Sequence, residues 1–206
     1  MKPSGTIEID KKEYELTNNN INMKYNNKII IMAGSLGAGK TTAAKYITQK
    51  YNFQHLSFVE EIWKPILHNR NLEVNRENLQ KLGIELMKEK GPYKIVEELL
   101  EKAIYSQTIL IDDVRRKDVV EIIKQLCDQV FLVYIDADFE TRYPRLIQRD
   151  NVQSEYEQRK AEKVETELSI PELKTIADYY INNNDTIDLF YLNIDSAVKK
   201  HRETLC

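Results

Sequence analysis

The sequence predicts a three-layer α/β domain, with about five parallel strands covered by helices on both faces. Two observations carry that expectation. From Lys28 onward, short apolar runs alternate with stretches of helical period. Strands separated by helices of this length need crossover connections and a parallel sheet buried on both sides. The second observation is scale: 206 residues, 42% of them hydrophobic and 31% charged, describe one ordinary globular domain able to enclose a small-molecule cleft.

The elements follow in order. Ile29 to Met32 reads as the first strand, and Thr41 to Tyr51 as the helix behind it. "FQHLSF" is a short second strand, followed by a helix from Val59 to Asn69. Asn75 to Lys90 carries Leu79, Leu82, Ile84, Leu86 and Met87 at helical spacing, and Gly91-Pro92 ends it. Ile95 to Tyr105 repeats the helical period. "TILID" is a buried strand, and Lys117 to Leu126 a helix. "VFLVYID" is the next strand. Asp138 caps a helix running to Arg149, which Pro144 either kinks or delays. Residues 150–168 are polar and dense in charge. "ADYYINN" is a last short strand, and Thr186 to His201 a terminal helix.

Ahead of this domain, residues 1–26 read as a polar extension with one strand at "GTIEID" and a loop at Asn18-Asn19-Asn20. The domain itself covers 27–206, with a lid segment near 142–165. The N-terminus lacks a signal-peptide apolar core and is too acidic for a transit peptide. No stretch approaches the roughly 18 apolar residues of a membrane span. Net charge is -3 and no like-charge run marks a nucleic-acid groove or a polybasic membrane patch. Cys127 and Cys206 have neither metal-ligand spacing nor a disulfide framework. A cytoplasmic monomer or homodimer acting on a small molecule, without stable nucleic-acid or membrane binding, is the expectation.

Between the first strand and its helix stands Gly34-Ser35-Leu36-Gly37-Ala38-Gly39-Lys40-Thr41, with Thr42 following. This is a phosphate-binding loop. Its glycines let backbone N–H groups turn inward as a nest, and the helix start adds the positive end of its dipole. Lys40 is expected to bridge β- and γ-phosphates of ATP, and the Thr41 hydroxyl to hold Mg²⁺. A chance match at the four defining positions arises in roughly 1% of chains this long. The strand-to-helix setting makes the functional reading the stronger one. No guanine-reading Asn-Lys-x-Asp and no transporter signature follow, which leaves the small kinases.

Three further segments bear on that choice. "LIDDVRR" ends a strand in Asp112 and Asp113, then presents Arg115. Asp112 is placed to assist Mg²⁺ as strand-end acids do, and the alternative is a solvated turn with Asp113 as a cap. "FETRYPRLIQRD" sets Arg142, Arg145 and Arg149 on one helical face, leading to Arg159 and Lys160. Such guanidinium groups stabilise charge spread over a transferring phosphoryl group, and the alternative is a solvated basic face. In "SFVEEIWKPIL", Glu60, Glu61 and Lys64 are candidates for acceptor binding. Trp63 is either a stacking wall or core.

Together "AGSLGAGKTTAA", "IDDVRRKDVVEII", "VNRENLQKLGIELMKEKGP" and "ADYYINNNDTIDLFYLNID" resemble the nucleoside monophosphate kinase-like family of P-loop proteins. That family includes adenylate, cytidylate, dephospho-coenzyme A and deoxynucleoside monophosphate kinases. The resemblance covers residues 28 to about 198. It implies a P-loop NTPase fold, ATP and Mg²⁺, and transfer of the γ-phosphoryl of ATP to a nucleoside or deoxynucleoside monophosphate. It implies further that Arg76 and Arg115 meet the acceptor phosphate while Arg142, Arg145 and Arg149 close over the donor phosphates. Two departures stand out. Glu60-Glu61-Ile62-Trp63-Lys64 replaces the Gly-Asp-x-x-Arg of adenylate kinase relatives, and Asp113 replaces the glycine of the Asp-Gly form. A kinase of a hydroxyl acceptor, like dephospho-coenzyme A kinase with Glu60 or Asp113 as base, is the nearest rival. A regulatory ATP-binding module without an acceptor is the rival of another class.

Overall fold

The computed structural model describes residues 6–9, 12–17, 20–105, 107–150 and 169–204. Among these, seven strands form one sheet. Strand β1 (Thr6–Ile9) pairs antiparallel with β2 (Lys12–Thr17), with Thr6 opposite Glu15 and Ile9 opposite Lys12. Strand β2 pairs antiparallel with β3 (Asn20–Ala33), with Lys12 opposite Tyr25 and Thr17 opposite Asn20. The remaining strands are β4 (Gln54–Leu56), β5 (Ile109–Ile111), β6 (Cys127–Asp136) and β7 (Tyr179–Asn182). Strand β3 neighbours β5 and β6, β5 neighbours β4, and β6 pairs parallel with β7. Strands β3 to β7 are the five-stranded parallel sheet of a P-loop fold.

The N-terminal strands differ from the expected polar extension with one strand. Asn20 opens β3 rather than belonging to a loop. The reason lies in the alternation Ile21, Asn22, Met23, Lys24, Tyr25, Asn26, which is the period-two pattern of an antiparallel strand. Averaged over a window, that pattern reads merely as polar.

The chain divides into two compact units: 1–29 with 53–109 and 118–130, and 30–52 with 110–117 and 131–206. In the first unit a π-helical turn, Val59–Trp63, runs into α2 (Lys64–Asn69) where one continuous helix was expected. Helix α3 (Arg76–Glu89) starts at Asn75, whose side chain accepts the Asn78 N–H at 2.9 Å, and buries Leu82 and Leu86. Helix α4 (Gly91–Leu100) begins with Pro92 in its first turn, where the missing N–H costs nothing. It buries Ile95, Val96, Leu99 and Leu100 and stops five residues before Tyr105. Asn27 donates to the carbonyls of Ile104 at 2.8 Å and Gln107 at 3.0 Å, tying β3 to the stretch that follows α4. Helix α5 (Lys117–Leu126) buries Val119, Val120, Ile123 and Leu126.

In the second unit Ile30 to Ala33 are wholly buried, as a strand covered on both faces requires. Helix α1 (Lys40–Tyr51) ends at Asn52, whose left-handed φ of 57° lets its N–H reach the Thr48 carbonyl. Helix α6 (Phe139–Asp150) passes through Pro144 unbroken. Helix α7 (Ile170–Thr175) lies beyond the polar stretch and was not expected. Helix α8 (Ile187–Glu203) is capped by Thr186 and buries Phe190, Ile194, Ala197, Val198 and His201. It is held to α1 by one carboxylate: Asp195 accepts from Tyr46 Oη at 3.0 Å, Tyr51 Oη at 2.7 Å and Lys50 Nζ at 2.7 Å. Among the described residues, no helix is long and apolar enough to cross a membrane.

Candidate active site

The loop that follows β3 is built in the second unit. Gly34 has φ of 146°, and a Cβ there would fall 2.1 Å from the Ile135 carbonyl oxygen of β6. No side chain fits, so the loop leaves the sheet flush against its neighbouring strand. Gly37 and Gly39 also have positive φ, at 79° and 113°, and the first helical bond runs from the Ala43 N–H to the Gly39 carbonyl. Backbone that alternates in hand aims successive N–H groups into one hollow, which is how an anion nest forms. Lys40 Nζ lies over this hollow's rim, donating to the Gly34 carbonyl at 2.6 Å and the Ser35 carbonyl at 3.1 Å. Thr41 and Thr42 are exposed in the first turn of α1, leaving their hydroxyls accessible.

Asp112 and Asp113 come directly after β5, at the carboxyl edge from which the loop also leaves β3. Asp112 is buried, Val114 anchors the turn, and Arg115 is half-buried. Ligands gather at this edge in open parallel sheets. The sequence brought these residues together by pattern alone, and the fold sets them on neighbouring strands of one unit.

The three α6 arginines separate. Arg142, expected over the donor phosphates, lies deep. It is only 8% exposed, with Nε donating to the Ala137 carbonyl and Nη1 to the Leu36 carbonyl, both at 2.9 Å. Its guanidinium thus reaches backbone of both the β6 end and the loop itself. Spacing puts these arginines on one stripe, but periodicity cannot say how deep each member of a stripe lies. Arg145 is held differently. Its Nη2 donates to the Asn183 carbonyl at 3.1 Å, while Nη1 is buried without a hydrogen-bond partner among the described residues. Burial holds the Arg145 guanidinium below the usual arginine range. Arg149 belongs to the last turn of α6, and Arg159 and Lys160 lie outside the described residues.

Two groups at this edge escaped the sequence reading. Asn183, just past β7, is buried and donates from Nδ2 to the Ala38 carbonyl at 2.7 Å. Its place in the segment "ADYYINNNDTIDLFYLNID", which carries the resemblance, was its signal, but no role was read from it. Asp136, ending β6, accepts from Lys174 Nζ at 2.8 Å and Tyr180 Oη at 3.0 Å. Burial works against its charge, yet the hydrogen bonds from Lys174 and Tyr180 hold Asp136 below the ordinary carboxylate value. Beside it, burial raises the Tyr134 phenol, against a hydrogen bond with the Ser35 side chain.

The acceptor-side candidates other than Arg115, namely Glu60, Lys64 and Arg76, belong to the first unit. Glu60 and Lys64 form an i,i+4 ion pair at 2.5 Å, and the Glu60 N–H reaches Ser57 Oγ at 3.3 Å. Trp63 is core, stacked on Phe58 with centroids 5.9 Å apart and facing Gly83. Arg76 is the first residue of α3, where the helix dipole disfavours a cation.

A family model described as AAA domain matches residues 33–165, from the end of β3 through α6 and beyond. The chain belongs to this P-loop family. Among curated proteins it is 29% identical to a UPF0200 protein of Pyrobaculum aerophilum, over 59% of this chain and 66% of that one. It is 28% identical to the dephospho-CoA kinase of Prochlorococcus marinus, over 63% of this chain and 55% of that one. It is 31% identical to adenylate kinase isoenzyme 1 of Gallus gallus, over 59% and 64%. The match thus spans less than two thirds of each relative. The family's nucleotide is ATP with Mg²⁺, and the loop fits both. Inward N–H groups and Lys40 suit phosphates, while the Thr41 hydroxyl and the Asp112 carboxylate are hard oxygen donors. Among the described residues no three His, Cys, Asp or Glu side chains gather as a metal cluster, and Mg²⁺ held largely by phosphates and water needs none.

Proposed function

We propose that this chain moves the γ-phosphoryl of ATP to the phosphate of a nucleoside or deoxynucleoside monophosphate. The observation that carries this reading is the shared sheet edge. The phosphate loop leaves β3 there, and Asp112, Asp113 and Arg115 leave the adjoining β5. Lys40 and the loop N–H groups bind the donor phosphates. Thr41 and Asp112 hold Mg²⁺, which supplies neutralisation of charge on the β- and γ-phosphate oxygens. Arg145, whose Nη1 has no hydrogen-bond partner among the described residues, meets the charge on the transferring group, and Arg149 of the same helix is a further candidate. Arg115 receives the acceptor phosphate. Arg76, the first residue of α3, is a further candidate for binding acceptor phosphate. Glu60 and Lys64 serve the acceptor side as a pair. Because the attacking group is already an anionic phosphate, no general base is needed, and positioning with fixed cations carries the rate.

A hydroxyl acceptor is the second reading, favoured by Asp113 beside Arg115 and by the similarity to a dephospho-CoA kinase. Such an acceptor needs a carboxylate base, which Asp113 or Glu60 would provide. The test is ADP release from ATP·Mg across ribo- and deoxynucleoside monophosphates and dephospho-CoA, with Arg115→Ala and Asp113→Asn alongside. The monophosphate reading expects stimulation by at least one monophosphate and an acceptor KM raised about 10- to 100-fold in Arg115→Ala. Loss of turnover in Asp113→Asn with binding intact supports the hydroxyl reading. ATP binding without stimulation by any acceptor leaves a regulatory module.

A further inference from the structure

Two side chains hold the phosphate loop from behind. Arg142 on α6 donates from Nη1 to the Leu36 carbonyl at 2.9 Å, and its Nε anchors it to the Ala137 carbonyl at the end of β6. Asn183, after β7, donates from Nδ2 to the Ala38 carbonyl at 2.7 Å. Both donors are buried, with Arg142 8% and Asn183 5% exposed. The fit is close on both sides. A Cβ on Gly37 would meet the Arg142 carbonyl oxygen at 3.1 Å, and one on Gly39 would meet Asn183 Nδ2 at 2.5 Å.

A peptide plane has its carbonyl and N–H on opposite sides. A donor that fixes the Leu36 carbonyl therefore fixes the direction of the Gly37 N–H, and a donor on the Ala38 carbonyl fixes that of the Gly39 N–H. Those are the N–H groups of the nest. Both carbonyls would otherwise be buried acceptors lacking these bonds, and a loop free to rotate its planes would lose the inward N–H set. We infer that Arg142 and Asn183 are positioning residues that lock these peptide planes and set the loop in its phosphate-binding form before nucleotide arrives. Neither touches phosphate in this role. Lysine cannot stand in for Arg142, because one ammonium lacks the planar fork that spans two carbonyls.

The inference rests on the loop binding ATP, and its test reads binding rather than turnover. ATP·Mg affinity is measured by calorimetry for the wild type, Arg142→Ala, Arg142→Lys and Asn183→Ala, each with and without guanidinium chloride at tens of millimolar. Wild type is expected to bind, Arg142→Ala and Asn183→Ala to bind about 10- to 100-fold more weakly, and Arg142→Lys to fall between. Guanidinium should recover at least about threefold of the affinity lost by Arg142→Ala and none of that lost by Asn183→Ala, because it refills only the arginine's hole. Such rescue separates plane-locking from a general loss of packing. An Arg142→Ala protein that folds and binds as wild type overturns the inference, as does lost affinity that guanidinium leaves unchanged. If Arg142→Ala fails to fold, Asn183→Ala decides alone: affinity within about twofold of wild type overturns the lock. Failure of the wild type itself to bind ATP overturns the proposed function, and this inference with it.

Discussion

Replacing Gly34 with alanine tests the loop at its tightest point. The added methyl would lie 2.1 Å from the Ile135 carbonyl oxygen, which is backbone of β6 and cannot swing aside as a side chain could. Gly34 also has φ of 146°, outside the range alanine tolerates. Gly91 provides the control, since its φ is 78° but a Cβ added there would meet nothing within 4 Å. Backbone strain of about 1–3 kcal/mol applies to both alanine variants. Overpacking adds about 1–3 kcal/mol to Gly34→Ala alone. Its total is therefore about 2–6 kcal/mol, and a difference of about 2 kcal/mol from Gly91→Ala corresponds to a melting midpoint about 4–8 °C lower for a chain of this size. Thermal unfolding followed by circular dichroism reads the difference, and ATP binding should be lost in Gly34→Ala but kept in Gly91→Ala. Equal midpoints for the two variants, or Gly34→Ala binding ATP as wild type, would refute the close packing of the loop against β6.

Lys40→Met should lower kcat/KM about 10²- to 10⁴-fold while moving the melting midpoint by no more than about 2 °C, as Lys40 is a half-exposed side chain that donates to the loop carbonyls of Gly34 and Ser35. Kinetics and a melt on the same preparation check this. Asp195→Asn should destabilise by about 1–2 kcal/mol at pH 7, because the carboxylate takes hydrogen bonds from Tyr46, Tyr51 and Lys50. Burial opposes the Asp195 charge, but hydrogen bonds from Lys50, Tyr51 and Tyr46 keep its folded pKa below the ordinary value. That stability is complete above the unfolded pKa of about 4 and disappears as pH falls through the lower folded value. The gap between wild type and variant should accordingly close in acid, and a pH-independent gap in denaturant titrations would count against the assignment.

Much of the fold could be read because local and long-range signals agree along β3, the loop and α1. A run of buried isoleucines, glycines at three turns and a lysine at the helix start each point to the same strand–loop–helix. The strand-end aspartates with Arg115 were legible for a similar reason, since position after a buried strand implies an edge. Depth was not legible. Arg142 and Arg145 share a helical stripe, yet one donates to two backbone carbonyls and the other keeps a nitrogen unmatched among the described residues. That distinction depends on what α6 packs against, which no spacing records. Asn183 was missed because its partner, Ala38, is 145 positions away. Strand β1 was expected at "GTIEID", whereas β2 and the first half of β3 were missed because charged, asparagine and apolar residues there alternate and dilute each other in composition.

The supports of the loop have a consequence for how the protein comes into being. Residues 34–41 leave the ribosome early, but Arg142, Asn183 and Asp195 follow only after more than a hundred further residues, as the sequence separations of 106, 145 and 149 in their bonds record. Contacts of such span are slow to close. A nascent chain therefore displays its most recognisable motif long before that motif can hold a nucleotide. Binding competence should appear in a late step, when the last strand and final helix have been synthesised, and a stalled chain ending before Asn183 would carry the loop without its function.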